Sequence, residues 1–289
     1  MNVLAKLIAP LTRIFHPRGT QRALRIFFNP RKLKIKGVMK YDKNLRINFN
    51  TSSYVEWELF FRGYYEKNVI DAIKKILRPG FVAIDAGANI GTHTLIIGKL
   101  VGDSGKVFAF DPHPESTEKL KENISLNNLL NIKVLQLALS NKKGTMTLFS
   151  YDDEMSDHGT ASLYVLPRLQ KNGVEVPVST IDKVIEEENL NRLDFIKIDT
   201  RGSDFPIILG ARESIKNFSP FIIFEYNKEN WGHSGFKWEE AKIFFDENDY
   251  GLYFINQKNI LPVGANPVFT TSHNILAIPN SKISQIKLC

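Results

Sequence analysis

Cysteine is nearly absent: the chain holds one, Cys289, at the last of its 289 positions. No intrachain disulfide can form, and a zinc or iron–sulfur centre built on cysteine has no ligand set. No apolar run approaches the roughly 20 residues that span a bilayer. The amino terminus lacks the marks of a signal peptide, because Lys6 breaks its apolar stretch and no small-residue cleavage site follows. The fingerprint Gly-x-Gly-x-x-Gly is missing as well, which argues against a dinucleotide-dependent oxidoreductase. Acids are scarce in one place. Residues 1–50 carry twelve Lys/Arg and a single acid, Asp42, whereas residues 51–289 carry 26 Lys/Arg and 30 acids. The first segment therefore holds +11 and the body −4. The body is not a basic nucleic-acid-binding domain, and an anionic partner would be met by the N-terminal segment. What remains is ordinary for a folded chain, with 43% apolar and 24% charged residues.

Residues 1–16 place Val3, Leu4, Leu7, Ile8, Leu11, Ile14 and Phe15 at helical spacing, with Lys6 and Arg13 off the stripe. Such a basic amphipathic helix either docks on its own domain or a partner chain, or lies in a membrane interface. The expected division is a basic helix and linker over 1–50, including a short strand pair, and one domain over 51–289. From Glu56 onward strands alternate with helices. Val82–Asp85, Val107–Phe110, Ile132–Ala138, Asp194–Asp199 and Phe221–Glu225 read as strands. Gly91–Val101, Pro114–Asn127, Phe205–Asn217 and Trp238–Asn248 read as helices. This rhythm predicts an α/β fold with a mainly parallel sheet and helices on both faces. It breaks over 139–180, which predicts extra strands and loops inserted after the third strand. Tyr250–Ile255 and Asn274–Ile278 are expected as a closing antiparallel pair.

The chemistry concentrates where the first parallel strand meets its helix, at Asp85-Ala86-Gly87-Ala88-Asn89-Ile90-Gly91. Ligands of open α/β sheets bind at the carboxyl ends of the strands. Gly87 and Gly91 allow backbone and ligand to approach closely. Asp85 would repel a pyrophosphate but suits a ligand carrying ammonium and sulfonium charge, such as S-adenosylmethionine (SAM). Asp111 ends the next strand, where an acid accepts hydrogen bonds from ribose hydroxyls. The end of the third strand, Ala138 to Ser140, should border the adenine.

Several linked blocks then share one resemblance. They are VEWELFFRGYY (55–65), FVAIDAGANIGTHTL (81–95), GKVFAFDPHPES (105–116), ENISLNN (122–128), ALSNKKG (138–144), LDFIKIDTRGSD (193–204) and PFIIFE (220–225). In order and spacing the chain resembles the FkbM-type methyltransferases. The resemblance implies a class I, Rossmann-like fold with a seven-stranded sheet and SAM as cofactor. It also implies methyl transfer to an oxygen of a sugar, glycan or secondary metabolite. Asp85, Gly87, Asn89 and Gly91 would form the SAM loop and Asp111 would hold the ribose. Two departures stand out. The family usually has Glu where this chain has Asp111. It commonly reads Asp-Val-Glu-Gly-x-Glu where this chain reads Asp199-Thr200-Arg201-Gly202-Ser203-Asp204, so Arg201 reverses a charge.

The acceptor is expected over the ends of the fourth and fifth strands. Asp199 is the favoured base or positioning group, with Glu225 as its helper and His158, in the inserted loop, as a further catalytic candidate. Arg201, Asp204, Tyr226 and His233 are the substrate candidates, Arg201 through an acidic acceptor. His93 is expected to pack on the first helix. Asp199, Glu225 and Asn227 could offer oxygens to a cation, but their spacing shows no dedicated metal site. Two other readings stay open: a non-catalytic SAM-binding or scaffold protein of this fold, and a nucleic-acid methyltransferase using the basic arm. Neither is preferred, because the SAM loop is intact and the body is acidic. The expected partner is a small-molecule or glycan acceptor, with membrane or partner contact through residues 1–16. The expected location is cytoplasmic, peripheral at a membrane if those residues bind one.

Overall fold

A computed structural model of the chain describes residues 2–14, 20–30, 32–150, 161–166, 173–257, 259–265 and 267–286. Helices α1 (Asn2–Ile14) and α2 (Thr20–Phe27) precede an antiparallel hairpin of β1 (Lys36–Tyr41) and β2 (Leu45–Asn50). Helices α3 (Tyr54–Arg62) and α4 (Lys67–Ile76) lead into the alternating region. There β3 (Val82–Ala86), α5 (Thr94–Val101), β4 (Lys106–Phe110), α6 (Pro114–Leu126) and β5 (Ile132–Leu135) follow in turn. Strands β6 (Ala138–Leu139), β7 (Gly144–Leu148) and β8 (Val174–Ser179) make a separate small sheet. The chain continues through α7 (Ile181–Glu187), β9 (Phe195–Ile198), α8 (Asp204–Leu209), α9 (Arg212–Phe218) and β10 (Phe221–Tyr226). It closes with α10 (Lys228–His233), α11 (Trp238–Glu247), β11 (Tyr250–Ile255), β12 (Ile260–Pro262) and β13 (His273–Pro279).

The main sheet runs β12-β11-β13-β10-β9-β3-β4-β5. Its five strands from β10 to β5 are parallel, and β13, β11 and β12 are antiparallel to their neighbours. This is the class I Rossmann-like methyltransferase fold, with one strand more, among the described residues, than the expected seven. The added strand, β12, is three residues long and sits in the Gly/Pro-containing loop before β13, too short to show a period of two. Apolar runs such as Phe221–Phe224 form central strands because both sheet faces are covered. Ala83, Val107, Phe195 and Ile223 pack toward α3, α4 and α5, whereas Ile84, Phe108, Ile196 and Ile222 pack toward α7, α8, α9 and α11.

Three expected boundaries move. The strand expected over Ile132–Ala138 splits, because Leu137 N–H bonds to Leu135 O at 3.0 Å and turns the chain out of the main sheet into β6. The helix expected over Phe205–Asn217 breaks at Gly210, whose carbonyl accepts from Asp182 N at 2.9 Å instead of continuing the ladder. The helix expected from Gly91 starts at Thr94, leaving residues 87–93 as a loop at the carboxyl end of the central strand β3.

The first fifty residues share the core of the rest. Leu33, Ile47 and Phe49 are buried in one cluster with Trp57, Phe61 and Ile73. The hairpin also holds the loop after β3: Tyr41 Oη donates to Thr92 O at 2.6 Å. Buried Asn123 accepts from Asn48 N and donates to Ile90 O, at 2.8 and 2.9 Å. Helix α1 docks on α3 through Ala5, Ala9 and Thr12, with Thr12 Oγ1 donating to Phe61 O at 2.6 Å. Arg13 Nε donates to Phe60 O at 2.9 Å. Ile8 of α1 packs half-buried against the core, but Val3, Leu4, Leu7, Leu11 and Ile14 point the other way, forgoing about 1.5–3 kcal/mol of burial each.

Candidate active site

Strand order reverses between the parallel neighbours β3 and β9: β4 and β5 continue on one side, β10 on the other. A crevice opens at such a switch point. Register carries chemistry across it. Asp85 lies opposite Lys197, and the following row runs from Gly87 past Asp199 to Glu225 and Asn274. A cavity of about 390 Å³ lies over these strand ends. Its wall includes Gly87, Asn89, Asp111, Lys197, Asp199 and Glu225.

Gly87 has φ +79°, and a Cβ there would lie 2.0 Å from Asp199 O, so no other residue fits without displacing β9. Asn89 adopts φ +48° and turns its N–H to Asp111 Oδ2 at 2.9 Å, while His113 N–H reaches Asp111 Oδ1 at 2.9 Å. Each carboxylate oxygen keeps a further lone pair. Burial, opposed by these two bonds, raises the Asp111 carboxyl to about 6. Ala138 also lines the cavity, beside Leu137 and Leu139.

Three residues of the expected cofactor set stand behind the wall. Asp85 is fully buried: its Oδ2 accepts from Thr94 Oγ1 at 2.6 Å and its Oδ1 lies 3.3 Å from Lys197 Nζ. It meets a cation, but the cation is the protein's own lysine. Gly91 packs under α6, where a Cβ would lie 2.6 Å from Leu120 Cδ1. Ser140 is buried off the cavity, its N–H bonded to Ser179 O at 2.9 Å.

Lys197 escaped sequence reasoning, although a lysine inside the apolar run Phe-Ile-Lys-Ile was a signal that a buried charge needs partners. It is 3% exposed and lies 3.3 Å from Asp85 and 3.6 Å from Asp199. Burial alone would lower its pKa, but the carboxylates of Asp85, Asp199 and Glu66 together raise it above the ordinary lysine value.

On the acceptor side, Glu225 Oε1 accepts from Ser272 Oγ. Burial and then the nearby Asp199 push its carboxyl up to about 7. Glu66, at the start of α4, accepts from Asn274 Nδ2 at 3.0 Å and is pushed up to about 8, by burial and then Asp199. His93 is not merely packed on a helix. It lines the cavity with Nε2 3.8 Å from Glu66 Oε2, and burial followed by Lys197 drives its pKa well below the usual value. Glu66 and His93 were missed because only the tertiary fold brings α4 and the β3 loop to the end of β9.

Of the substrate candidates, Arg201 lines the cavity. Its backbone carbonyl accepts from Ser162 Oγ at 2.9 Å, so the inserted segment returns over the site through Ala161, Ser162 and Leu163. Asp204 does not reach the cavity. It is 1% exposed and accepts from Gly202 N and Glu225 N, both at 3.3 Å, which ties the β9–α8 turn to β10. Tyr226 faces away into a cluster with Trp231, Trp238 and Phe269. His233 is exposed at the end of α10, off the cavity wall. Asn227 Oδ1 caps α10, accepting from Glu229 N and Asn230 N at 3.0 Å. His158 lies outside the described residues.

Comparison with known proteins gives a consistent result. The family described as Methyltransferase FkbM domain matches residues 85–252. Methyltransferase sdnD of Sordaria araneosa is 26% identical over 196 residues, 58% of this chain and 74% of that protein. Hexuronic acid methyltransferase AglP of Haloferax volcanii is 23% identical over 160 residues, 55% of this chain and 62% of that protein. Among solved structures, methyltransferase FkbM from Methylobacillus flagellatus aligns with TM-score 0.44 and 14% identity, covering 72% of this chain and 50% of that one.

Proposed function

The chain belongs to the FkbM methyltransferase family, which uses SAM, and from that premise we propose that it O-methylates a hydroxyl of an acidic sugar or related metabolite. The residues present fit the cofactor. Gly87, Asn89 and the Asp111 carboxylate line one cavity wall, and each Asp111 oxygen, holding a single backbone N–H, can accept a further hydrogen bond there. In this reading Asp111 holds the ribose, Gly87 and Asn89 form the turn beneath the cofactor, and Ala138 borders the adenine. Bound SAM supplies an electrophilic methyl group on a sulfonium that leaves without protonation.

The observation that carries the reading is the row Gly87–Asp199–Glu225, with Lys197 beneath it. Asp199 abuts the glycine loop through the close Gly87 contact, so an acceptor over Asp199 lies next to the cofactor crevice. Methyl transfer needs the attacking oxygen at about 3–3.5 Å and in line. Glu225 takes the hydroxyl proton as the new carbon–oxygen bond forms. Its proton affinity is matched to neutral pH, which suits it to that task. Asp199, 3.6 Å from the Lys197 ammonium, positions the acceptor. Arg201 binds an anionic group on the acceptor. The relative named for a hexuronic acid supports this class, at 23% identity.

The test is methyl transfer from labelled SAM to a panel of uronic acids and neutral sugars. Glu225→Gln is expected to lower kcat by about 10²–10⁴-fold, with SAM affinity retained. The carboxyl must be ionised to accept a proton, so the rate should rise with pH. The rise should centre on about 7. A flat pH profile, or full activity in Glu225→Gln, would reject this base.

A further inference from the structure

Helix α1 is docked with its small side turned inward. Ala5, Ala9 and Thr12 share the face against α3, and Ala5 and Ala9 are at most 1% exposed. At about 100° per residue, Val3, Leu4, Leu7, Leu11 and Ile14 form a stripe on the opposite face. Leu7 is 67% exposed and Ile14 84%. The next helix repeats the pattern: Leu24 is buried, whereas Ile26 and Phe27 are 70% and 73% exposed. A helix docked for its own domain's stability would bury the leucines and expose the alanines. Here the apolar stripe is left for something outside the chain.

Charge identifies the occupant. The same fifty residues hold +11, and Lys6, Arg22, Lys32, Lys34, Lys36 and Lys40 are exposed on them. A second copy docked face to face would bring like charges together. Nucleic acid would satisfy the lysines and leave the leucines in water. A bilayer with anionic headgroups satisfies both, the acyl boundary taking the stripe and the phosphates taking the cations. We propose that α1 and α2 seat this protein on an anionic membrane surface. Among the described residues no helix is long and apolar enough to cross a membrane, so the helices would lie on the surface. Helix α3, which carries α1, also supplies Tyr54 and Val55 to the cavity wall, so the seat and the cavity share one rigid element.

Sedimentation of the full chain with vesicles tests the assignment without reference to catalysis. Vesicles of phosphatidylcholine mixed with phosphatidylglycerol should carry the protein down, and vesicles of phosphatidylcholine alone should do so far less. Added salt should weaken the binding. The exposed triple variant Leu4→Ser/Leu7→Ser/Leu11→Ser should lose about tenfold or more in partitioning. Lys6→Glu/Arg22→Glu should lose binding on the anionic vesicles. Unchanged thermal melts would show that both variants fold. The proposal is overturned if the parent stays in the supernatant, if both vesicle types bind it equally, or if the triple variant sediments like the parent. It is equally overturned if the parent is a dimer without vesicles and the triple variant is a monomer, which would assign the stripe to a second copy.

Discussion

The side of the cavity assigned to SAM draws Gly87, Asn89, Asp111 and Ala138 from residues 87–138, whereas the acceptor side draws Tyr65, Asp199, Glu225 and Ser272 from residues 65–272. The two sides are also held differently. Gly87 and Asn89 are fixed by backbone geometry: positive φ at both, and a carbonyl against the space where a Cβ would stand. Glu66, Asp199 and Glu225 are fixed by charge, with Lys197 as their common counter-ion. A site made by steric necessity leaves its mark as glycines at set spacing. A site made by electrostatic balance leaves scattered acids that look like any others. Lys197 joins the two, since its ammonium faces Asp85 under the loop and Asp199 at the acceptor.

Removing that link should have the largest effect. Lys197→Met leaves Asp85 buried without its counter-charge and should cost about 3–5 kcal/mol, read by urea denaturation. A loss under about 1 kcal/mol would mean that the two sides do not depend on a shared cation. Next comes the cofactor side alone. Gly87→Ala places a Cβ against Asp199 O at a positive φ, and should cost about 2–4 kcal/mol and abolish SAM binding in calorimetry.

Asp111→Asn removes the charge from two hydrogen bonds and should weaken SAM binding by about 10–100-fold. In the parent, SAM affinity should fall as pH drops through about 6, because protonated Asp111 is a poor acceptor. That pH dependence should vanish in Asp111→Asn. Its persistence would place the titrating group elsewhere. The smallest effect belongs to the acceptor rim. Arg201→Ala should raise KM for an acidic acceptor several-fold with kcat nearly unchanged, as expected for loss of uniform binding. Equal loss for neutral and acidic acceptors would detach Arg201 from acceptor charge.

Much of this was legible in one dimension. Hydrophobic rhythm marked the five parallel strands, since a buried central strand is a short apolar run wherever it sits. The Asp85–Gly91 spacing marked the loop, since a tight turn over a strand end demands particular φ values from particular residues. The charge of the first fifty residues and the apolar stripe of α1 were equally plain. Other properties existed only after folding. Whether α1 buries its leucines or its alanines depended on the face that α3 offered. Whether Asp85 meets a ligand or a lysine depended on the register of β3 against β9. Whether Asp204 and Tyr226 reach an acceptor depended on which way the turns after β9 and β10 were tied. Local sequence determines backbone conformation and apolar periodicity, because those energies act within a few residues. The partners of a buried charge are chosen by the packing of whole elements, so Glu66, His93 and Lys197 became a site only when the sheet brought their strands and helices together.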